Sequence, residues 1–350
     1  MKQMQIRNGL LRNRSLRWRG MGLRPTMITA FGVPVLFVVT LMIYVQLFGM
    51  PFAGFKGEIS ELRSDTLNHL NLVADLKVEM LEHWLKERRS DATALVEEDG
   101  FQQDVHELLL TIRQMDTSGD LGRSELVSLW QASEIYQRQA QRVEQRLALI
   151  RDAYGVYESI VIIDAHTGLF VVSTDPDVLG LREKNGAHFQ AIVEPASTGE
   201  FMHVMQDEHD SLPSPELVIT RQITAPGSDT TDGVLMLRVE FEEIITPIIL
   251  TNGALGLTDE ALLIGNGNKI LSSLAHPLAD GSIAEPLKYE IGTEAAMSAA
   301  AGLNGTTSST DYRGVKVLAA YRYIELSPSL GWGLVVKQDE SEFSIICVRV

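Results

Sequence analysis

Two pairs of short apolar runs occur twice in this chain, in the same order and about a hundred residues apart. That repeat limits the fold more than any other feature. SIVIID (Ser159–Asp164) is followed by Ala-His-Thr-Gly and LFVVS (169–173), with Gly168 at the turn. ELVITRQI (216–223) and VLMLRVEF (234–241) then flank a loop rich in Gly, Ser, Thr and Asp. ALLIG (261–265), the turn Asn-Gly-Asn and KILSS (269–273) repeat the first pair. KVLAAYRYI (316–324) and GWGLVVKQD (331–339) repeat the second. Short runs bounded by turn residues predict strands. Irregular, partly helical segments are predicted between the pairs, at 176–215 and 274–312. A supersecondary unit that recurs in order predicts tandem copies of one small fold. The expectation is α+β: two antiparallel-sheet modules, at 156–250 and 251–343, joined through EEIITPIILTNG.

Upstream the apolar period changes from two to 3.6. Val73, Leu76, Met80 and Trp84 recur at intervals of three and four, with Leu81 and Leu85 beside them. Other faces carry Glu79, Glu82, Lys86, Glu87, Arg88 and Arg89. This predicts one long helix from Gly57 to about Glu98. Some forty residues at 1.5 Å each make a rod of about 60 Å. A second helical stretch is predicted over 122–151, with Leu126, Leu129, Ile135, Val143, Leu147 and Ile150 as its apolar face. Between them, Asp116-Thr-Ser-Gly-Asp-Leu-Gly has Leu121 and Val127 where a calcium loop needs a glycine and a bidentate glutamate. It reads as a helix-capping turn. Residues 56–155 thus form a helical stalk region. Its apolar stripe needs a partner, and a homodimer through the stalk helix is expected.

Charge divides the chain into different surroundings. Residues 1–24 hold Lys2, Arg7, Arg12, Arg14, Arg17, Arg19 and Arg24 and no acid, leaving 23 basic residues against 46 acidic ones in the remainder. From Pro25 to Phe55 no side chain is charged. The centre of that run, residues 27–48, is long enough as a helix to cross about 30 Å of hydrocarbon. It exceeds the roughly 7–15 apolar residues of a cleaved leader and ends LFGMPF, without a small-residue cleavage site. Tyr44 suits an interface, and Pro34 is tolerated in a membrane helix. A transmembrane helix at 25–55 is therefore expected in the lipid bilayer. Seven positives on one side place a basic tail (1–24) in the cytoplasm and everything from about Lys56 outside it. A nucleic-acid partner for the basic tail is not expected beside such a segment.

The longer patterns carry a family resemblance. VADLKVEMLEHWLKERRSDA (73–92), LRVEFEEIITPII (237–249), and DYRGVKVLAAYRYI followed by LGWGLVVKQDESE stand in the order stalk, end of first module, closing hairpin. Together they resemble the double Cache sensors, extracytoplasmic domains with two PAS-like modules on a long N-terminal helix. The resemblance spans residues 25–343. It implies a receptor of the sensor-kinase or diguanylate-cyclase type in the bacterial inner membrane, with its sensor region periplasmic or extracellular. It also implies that the membrane-distal first module holds a small-molecule ligand. Cache relatives that bind amino acids resemble one another in an Arg-x-Trp-Tyr motif and an Asp near the last strand. The matching positions here hold Gly186-Ala-His-Phe and Glu240, so the guanidinium that would clamp a carboxylate is missing and ordinary amino-acid binding is not expected. Relatives continue into a second membrane helix and a cytoplasmic kinase, cyclase or chemotaxis output. FSIICVRV (343–350) is too short to span a bilayer, and a truncated product or a single-pass protein without an output domain is expected.

Alternation along VLMLRVEF puts Met236, Arg238 and Glu240 on one face and Leu235, Leu237, Val239 and Phe241 on the other. The resemblance assigns the first face to the pocket. Arg238 can offer a planar fork to a carboxylate or phosphate, and Glu240 can accept from an amine. Otherwise the two neutralise each other, or the face is solvated. His188 and Phe189 would flank the same pocket, with His203, Arg221 and Ser173 as further candidates. No metal site is expected, because His188, His203 and His209 lack short ligand spacings and Cys347 is the single cysteine. That count also excludes an intramolecular disulfide. Gly265-Asn-Gly-Asn reads as a hairpin turn, with no helix after it to make a phosphate cradle. No catalytic triad order, HExxH or nucleophile elbow occurs. The predicted function is binding of a small solute without cofactor or catalysis. The rival class is an exported, membrane-anchored enzyme or structural protein that reuses a Cache-like fold. A perturbed acid–base pair in the pocket would favour the enzyme.

Overall fold

The computed structural model describes residues 31–50, 55–115, 121–182, 200–206, 215–250, 258–327 and 330–342. The chain divides into two units, Met1–Ser64 and Asp65–Val350. In the first, helix α1 (Val33–Phe48) buries none of its side chains. It stops at Gly49, whose φ of +78° leaves the helical region. A two-residue ladder of β1 (Gly49–Met50) with β2 (Phe55–Lys56) follows, so helix does not fill the whole uncharged run to residue 55. Among the described residues no helix is long and apolar enough to cross a membrane. Residues 25–30, the start of the expected span, lie outside the described ones.

The long helix of the stalk is α2 (Glu58–Val96). Its buried face is Leu70, Ala74, Lys77, Leu81, Leu85, Arg88, Ala92 and Leu95. This differs from the expected stripe: Val73 and Trp84 are partly buried at the edge of the core, while Leu76 and Met80 are 54% and 41% exposed. Two cations set the difference. The Arg88 guanidinium lies over the rings of Trp84, Tyr154 and Tyr157 at 5.3–5.8 Å, where the electron-rich faces favour it. Lys77 spends its ammonium on backbone carbonyls of another helix, described below.

Three more helices complete the stalk: α3 (Phe101–Met115), α4 (Arg123–Ala132) and α5 (Glu134–Tyr154). The single stretch expected over 122–151 is broken at Ser133, whose hydroxyl accepts from the Tyr136 amide at 3.3 Å and caps α5. The break shifts the helical phase. Leu126, Val143 and Leu147 are buried as expected, but Leu129 and Ile135 are exposed.

Both sheets are antiparallel. The first has the order β4-β3-β7-β6-β5, from β3 (Ser159–Asp164), β4 (Phe170–Ser173), β5 (Glu200–Gln206), β6 (Pro215–Thr224) and β7 (Thr231–Glu240). The second has the order β8-β11-β10-β9, from β8 (Glu260–Ile264), β9 (Gly305–Thr310), β10 (Lys316–Ser327) and β11 (Leu330–Asp339). The repeated strand pairs are thus real, with two corrections. KILSS makes only isolated bridges, Ile264 to Ile270 and Lys269 to Glu290. The intervals expected to be irregular each supply an edge strand, β5 and β9.

Helix α6 (Phe241–Leu250) continues directly from β7, and Lys77 donates to the carbonyls of Ile249 and, at 3.4 Å, Ile248 in its last turn. Those carbonyls have no partner within their own helix, so the lysine acts as a C-terminal cap. Helix α7 (Glu294–Ala300) lies on the second sheet. The approach is close: a Cβ on Gly333 would stand 2.8 Å from the Ala299 Cβ.

One core joins α2–α6 to one face of each sheet, with Phe241 and Trp332 edge to face at 5.6 Å. The opposite faces have smaller cores of their own. That of the second sheet is Leu262, Ile264, Ala319 and Val335 against α7. Among the described residues, that of the first is Val161, Ile163, Phe170, Val218, Val234 and Met236 with Val178.

Candidate functional site

The expected site strand is β7, and the expected site face is the one turned away from the helix-side core. Leu235, Leu237, Val239 and Phe241 point to the helix-side core, and Val234 and Met236 to the other face, as period-two alternation requires. Arg238 and Glu240 follow Met236 on that second face. Arg238 is 9% exposed, and its guanidinium forks onto Glu216, with Nε 2.9 Å from Oε2 and Nη2 on Oε1. Its Nη1 reaches the Ser159 hydroxyl at 3.4 Å. Glu216 is 3% exposed and stands directly opposite Glu240 in the β6–β7 ladder. Glu216, on the neighbouring strand, is thus a bidentate partner of Arg238 that the sequence reading did not name. Glu240 is half-buried.

The other predicted residues separate. Ser173 pairs in register with Val161, which puts it on the same face, and its hydroxyl accepts from the Asp175 amide at 3.0 Å. His203 stands opposite Val218 in the β5–β6 ladder. His188 and Phe189 lie outside the described residues. Arg221 is excluded from this face. It falls between Ile219 and Ile223 of the helix-side core and comes within 4.0 Å of Glu97 just past α2. A side chain of odd number on β6 faces away from Val218 and Thr220.

The second sheet buries a charged cluster of its own. Lys337, Glu260, Asp311 and Asp339 are each less than 9% exposed. Lys337 bridges Glu260, at 2.8 Å, and Asp311. Arg313 joins Asp311, at 2.7 Å, to Asp339. Burial pushes the Asp311 carboxyl up, but hydrogen bonds and charge from Lys337 and Arg313 outweigh it and hold the group below the usual carboxylate range. Burial, and then the Glu260 carboxylate, push the Tyr312 phenol well up. None of these residues was singled out from sequence, although Lys-x-Asp in GLVVKQD echoes Arg-x-Glu in LMLRVEF.

A third cluster ties α3 to the far ends of β3 and β7. Arg113 donates to Asp164 Oδ1 at 3.0 Å and to Asp232 Oδ1 at 2.7 Å, and His106 Nδ1 lies 2.6 Å from Asp232 Oδ2. Burial pushes Asp232 up, and the contacts with His106 and Arg113 bring it below its ordinary value. A carboxylate held ionised by fixed cations is a structural anchor, poorly suited to exchanging protons near neutrality. Among the described residues no three His, Cys, Asp or Glu side chains gather to hold a metal ion.

The model of the Cache domain, dCache_1, matches residues 60–344, from the start of α2 to beyond β11. The chain belongs to the Cache-domain family. Cache domains are ligand-binding sensors of membrane receptors, so the reading of this protein as a small-molecule sensor stands. The extracellular domain of vpHK1S-Z8, a proposed histidine kinase, has a similar fold, with a TM-score of 0.54 at 11% identity over 80% of this chain and 95% of that one. The ligand-binding domain of the Pseudomonas fluorescens chemoreceptor CtaA, in complex with L-isoleucine, gives 0.47 at 15% identity over 81% and 97%. The sensory domain of the Campylobacter jejuni chemoreceptor Tlp3, with isoleucine bound, gives 0.49 at 13% over 83% and 97%. No curated protein matches the chain. Within this Cache domain each sheet balances a buried cation, with a bidentate carboxylate at Arg238 and an ionic network at Lys337.

Proposed function

We propose that the protein senses a small solute outside the cytoplasm, binding it on the face of the first sheet turned away from the stalk, at the end marked by Arg238, Glu216, Glu240, Ser159 and Ser173. The observation that carries this reading is a buried arginine–glutamate fork beside the apolar side chains of that face. Charges are costly to bury, and a face that places them beside apolar residues suits a solute with both characters. His203 shares this register, and His188 and Phe189 belong to the same proposed pocket. The solute carries a carboxylate or phosphate if it takes the Arg238 fork from Glu216, and an amine if it seats on Glu240.

The modules are taken as residues 156–250, distal to the membrane, and 251–343, proximal to it. Apolar side chains exposed all round α1, such as Val35, Leu36, Phe37 and Met42, support its role as part of a bilayer anchor. The run of N-terminal positives supports a cytoplasmic tail and an exported sensor. Leu72, Leu76 and Met80 form an exposed apolar stripe at intervals of four on α2, which supports a homodimer along the stalk. Binding biases the receptor only through its difference in affinity for two arrangements.

The test is a thermal-shift screen of the full chain against carboxylates, phosphates and amines. A solute at about a hundred times its dissociation constant should raise Tm by roughly 5–10 °C. Glu240→Gln should weaken that solute about tenfold while leaving the solute-free Tm within roughly 2 °C. If every hit is indifferent to both Glu240→Gln and Ser173→Ala, the site lies elsewhere.

A further inference from the structure

The charged site of the first sheet has a counterpart in the second, at the same lattice point. β3 pairs Ser159 with Arg238 in β7, and β8 pairs Glu260 with Lys337 in β11. The adjoining strand sets Val218 opposite Arg238 and Ala319 opposite Lys337. Two residues further stand Glu240 and Asp339. Each sheet thus buries one cation at this point, on the face away from the stalk.

In the second sheet the surroundings of that cation form a complete receptor for a primary ammonium group. The Lys337 Nζ lies 2.8 Å from Glu260 Oε2, contacts Asp311 Oδ2, and sits 4.3 Å from the centre of the Tyr312 ring. Two carboxylates and an aromatic face are what a compact, three-donor cation needs. Each carboxylate also has donors other than the lysine. Glu260 is held by the Tyr312 hydroxyl at 2.7 Å and the Ala275 amide at 2.8 Å. Asp311 is held by the Arg313 amide at 2.9 Å, its Nε at 2.7 Å and the Val315 amide at 3.1 Å. The cavity left beside the lysine, between Leu262, Ile291, Tyr312 and Val335, is ≈ 10 Å³, about the room one water needs. The receptor is full.

We propose that Lys337 is a built-in ligand: the second sheet holds a recognition site for a primary alkylammonium ion that the chain occupies with its own side chain. The wild-type second sheet therefore does not respond to amines, and sensing is left to the first. Removing the lysine beyond Cβ vacates three carbons and a nitrogen, the outline of n-propylammonium. This inference stands apart from the proposed solute site, because none of its residues lies in the first sheet.

The experiment compares Tm of the detergent-solubilised full chain, wild type and Lys337→Ala, with and without n-propylammonium chloride. n-Propanol serves as the uncharged control and tetramethylammonium as the cation without N–H donors. The alanine variant should melt below wild type, and saturating n-propylammonium should raise its Tm by roughly 3–6 °C with no shift in wild type. Neither control should substitute, and adding Glu260→Gln should abolish the gain. Should Lys337→Ala be too unstable to isolate, it is purified with n-propylammonium present throughout. Recovery in folded form only with the amine supports the proposal. A variant that stays unfolded with the amine overturns it, since the carboxylates would then need the lysine to stay in place. Equal shifts in wild type and variant, or equal rescue by n-propanol, overturn it as well. A shift in Lys337→Ala that disappears when Glu240→Gln is added to it would contradict the separation of the two sites.

Discussion

At the scale of single residues, the pairing of Arg238 with Glu216 decides what a substitution does. Both are buried, so truncating one partner leaves an uncompensated charge inside the protein. Arg238→Ala in the solute-free chain should cost roughly 3–5 kcal/mol, read by urea unfolding. Glu216→Ala should cost a similar amount, and the double variant little more than either alone. A double-variant cost equal to the sum of the two would show that the fork is not the interaction being lost. Acid should act through Asp232 and Asp311. Both are held below the ordinary aspartate value by neighbouring cations, so the native state binds protons less readily than the unfolded chain. Their stabilisation is complete above the ordinary aspartate range and disappears as pH falls beneath it. Tm should therefore be flat from neutrality to about pH 5 and fall below about pH 4. Asp311→Asn should flatten that acid limb. An acid limb of the same steepness in both chains would remove Asp311 from the account.

At the scale of elements, α2 shows how a helix face is chosen by its partners. Its buried face includes Lys77 and Arg88, both polar in any hydropathy reading, because carbonyls at the end of α6 and a set of aromatic rings receive them. Lys77→Ala should destabilise by roughly 1–3 kcal/mol by taking a donor from the buried carbonyls of Ile248 and Ile249. A change within about 0.5 kcal/mol in a denaturant titration would mean water replaces the ammonium. The exposed Leu72, Leu76 and Met80 make the opposite prediction. Leu76→Arg should leave the far-ultraviolet circular dichroism unchanged while shifting sedimentation of the chain from dimer to monomer. A wild-type chain that sediments as a monomer at every concentration would dismiss the stalk dimer.

At the scale of the whole molecule, topology can be measured directly. Reporter fusions after Ser90 and Ser211 should be active only with an exported reporter, and cytoplasmic activity at either would refute the exported sensor. What the sequence alone determined was local in origin. The stalk helix, the paired strands of both sheets and the two faces of β7 were readable because side-chain periods of 3.6 and 2 need only neighbours along the chain. The same applies to Ser133, a good N-cap residue by type, although its break in the 122–151 helix shows only once the phase of Leu129 and Ile135 is seen to slip. The edge strands β5 and β9 escaped notice for a related reason. GTTSST has one side facing solvent and almost no apolar signal, and ladder bonds to β10 define it. Tertiary structure alone decided which partners charged groups take. Glu216 lies 22 residues from Arg238, and Ile249 lies 172 from Lys77. Strand register brings the first pair onto one diagonal, and the docking of α6 on α2 brings the second into contact. Register also turned Arg221 toward the helices, away from the face it was expected to line. Composition can supply a cation and a carboxylate, but only the folded lattice sets the distance between them, and that distance makes one arginine a paired group and one lysine a resident ligand.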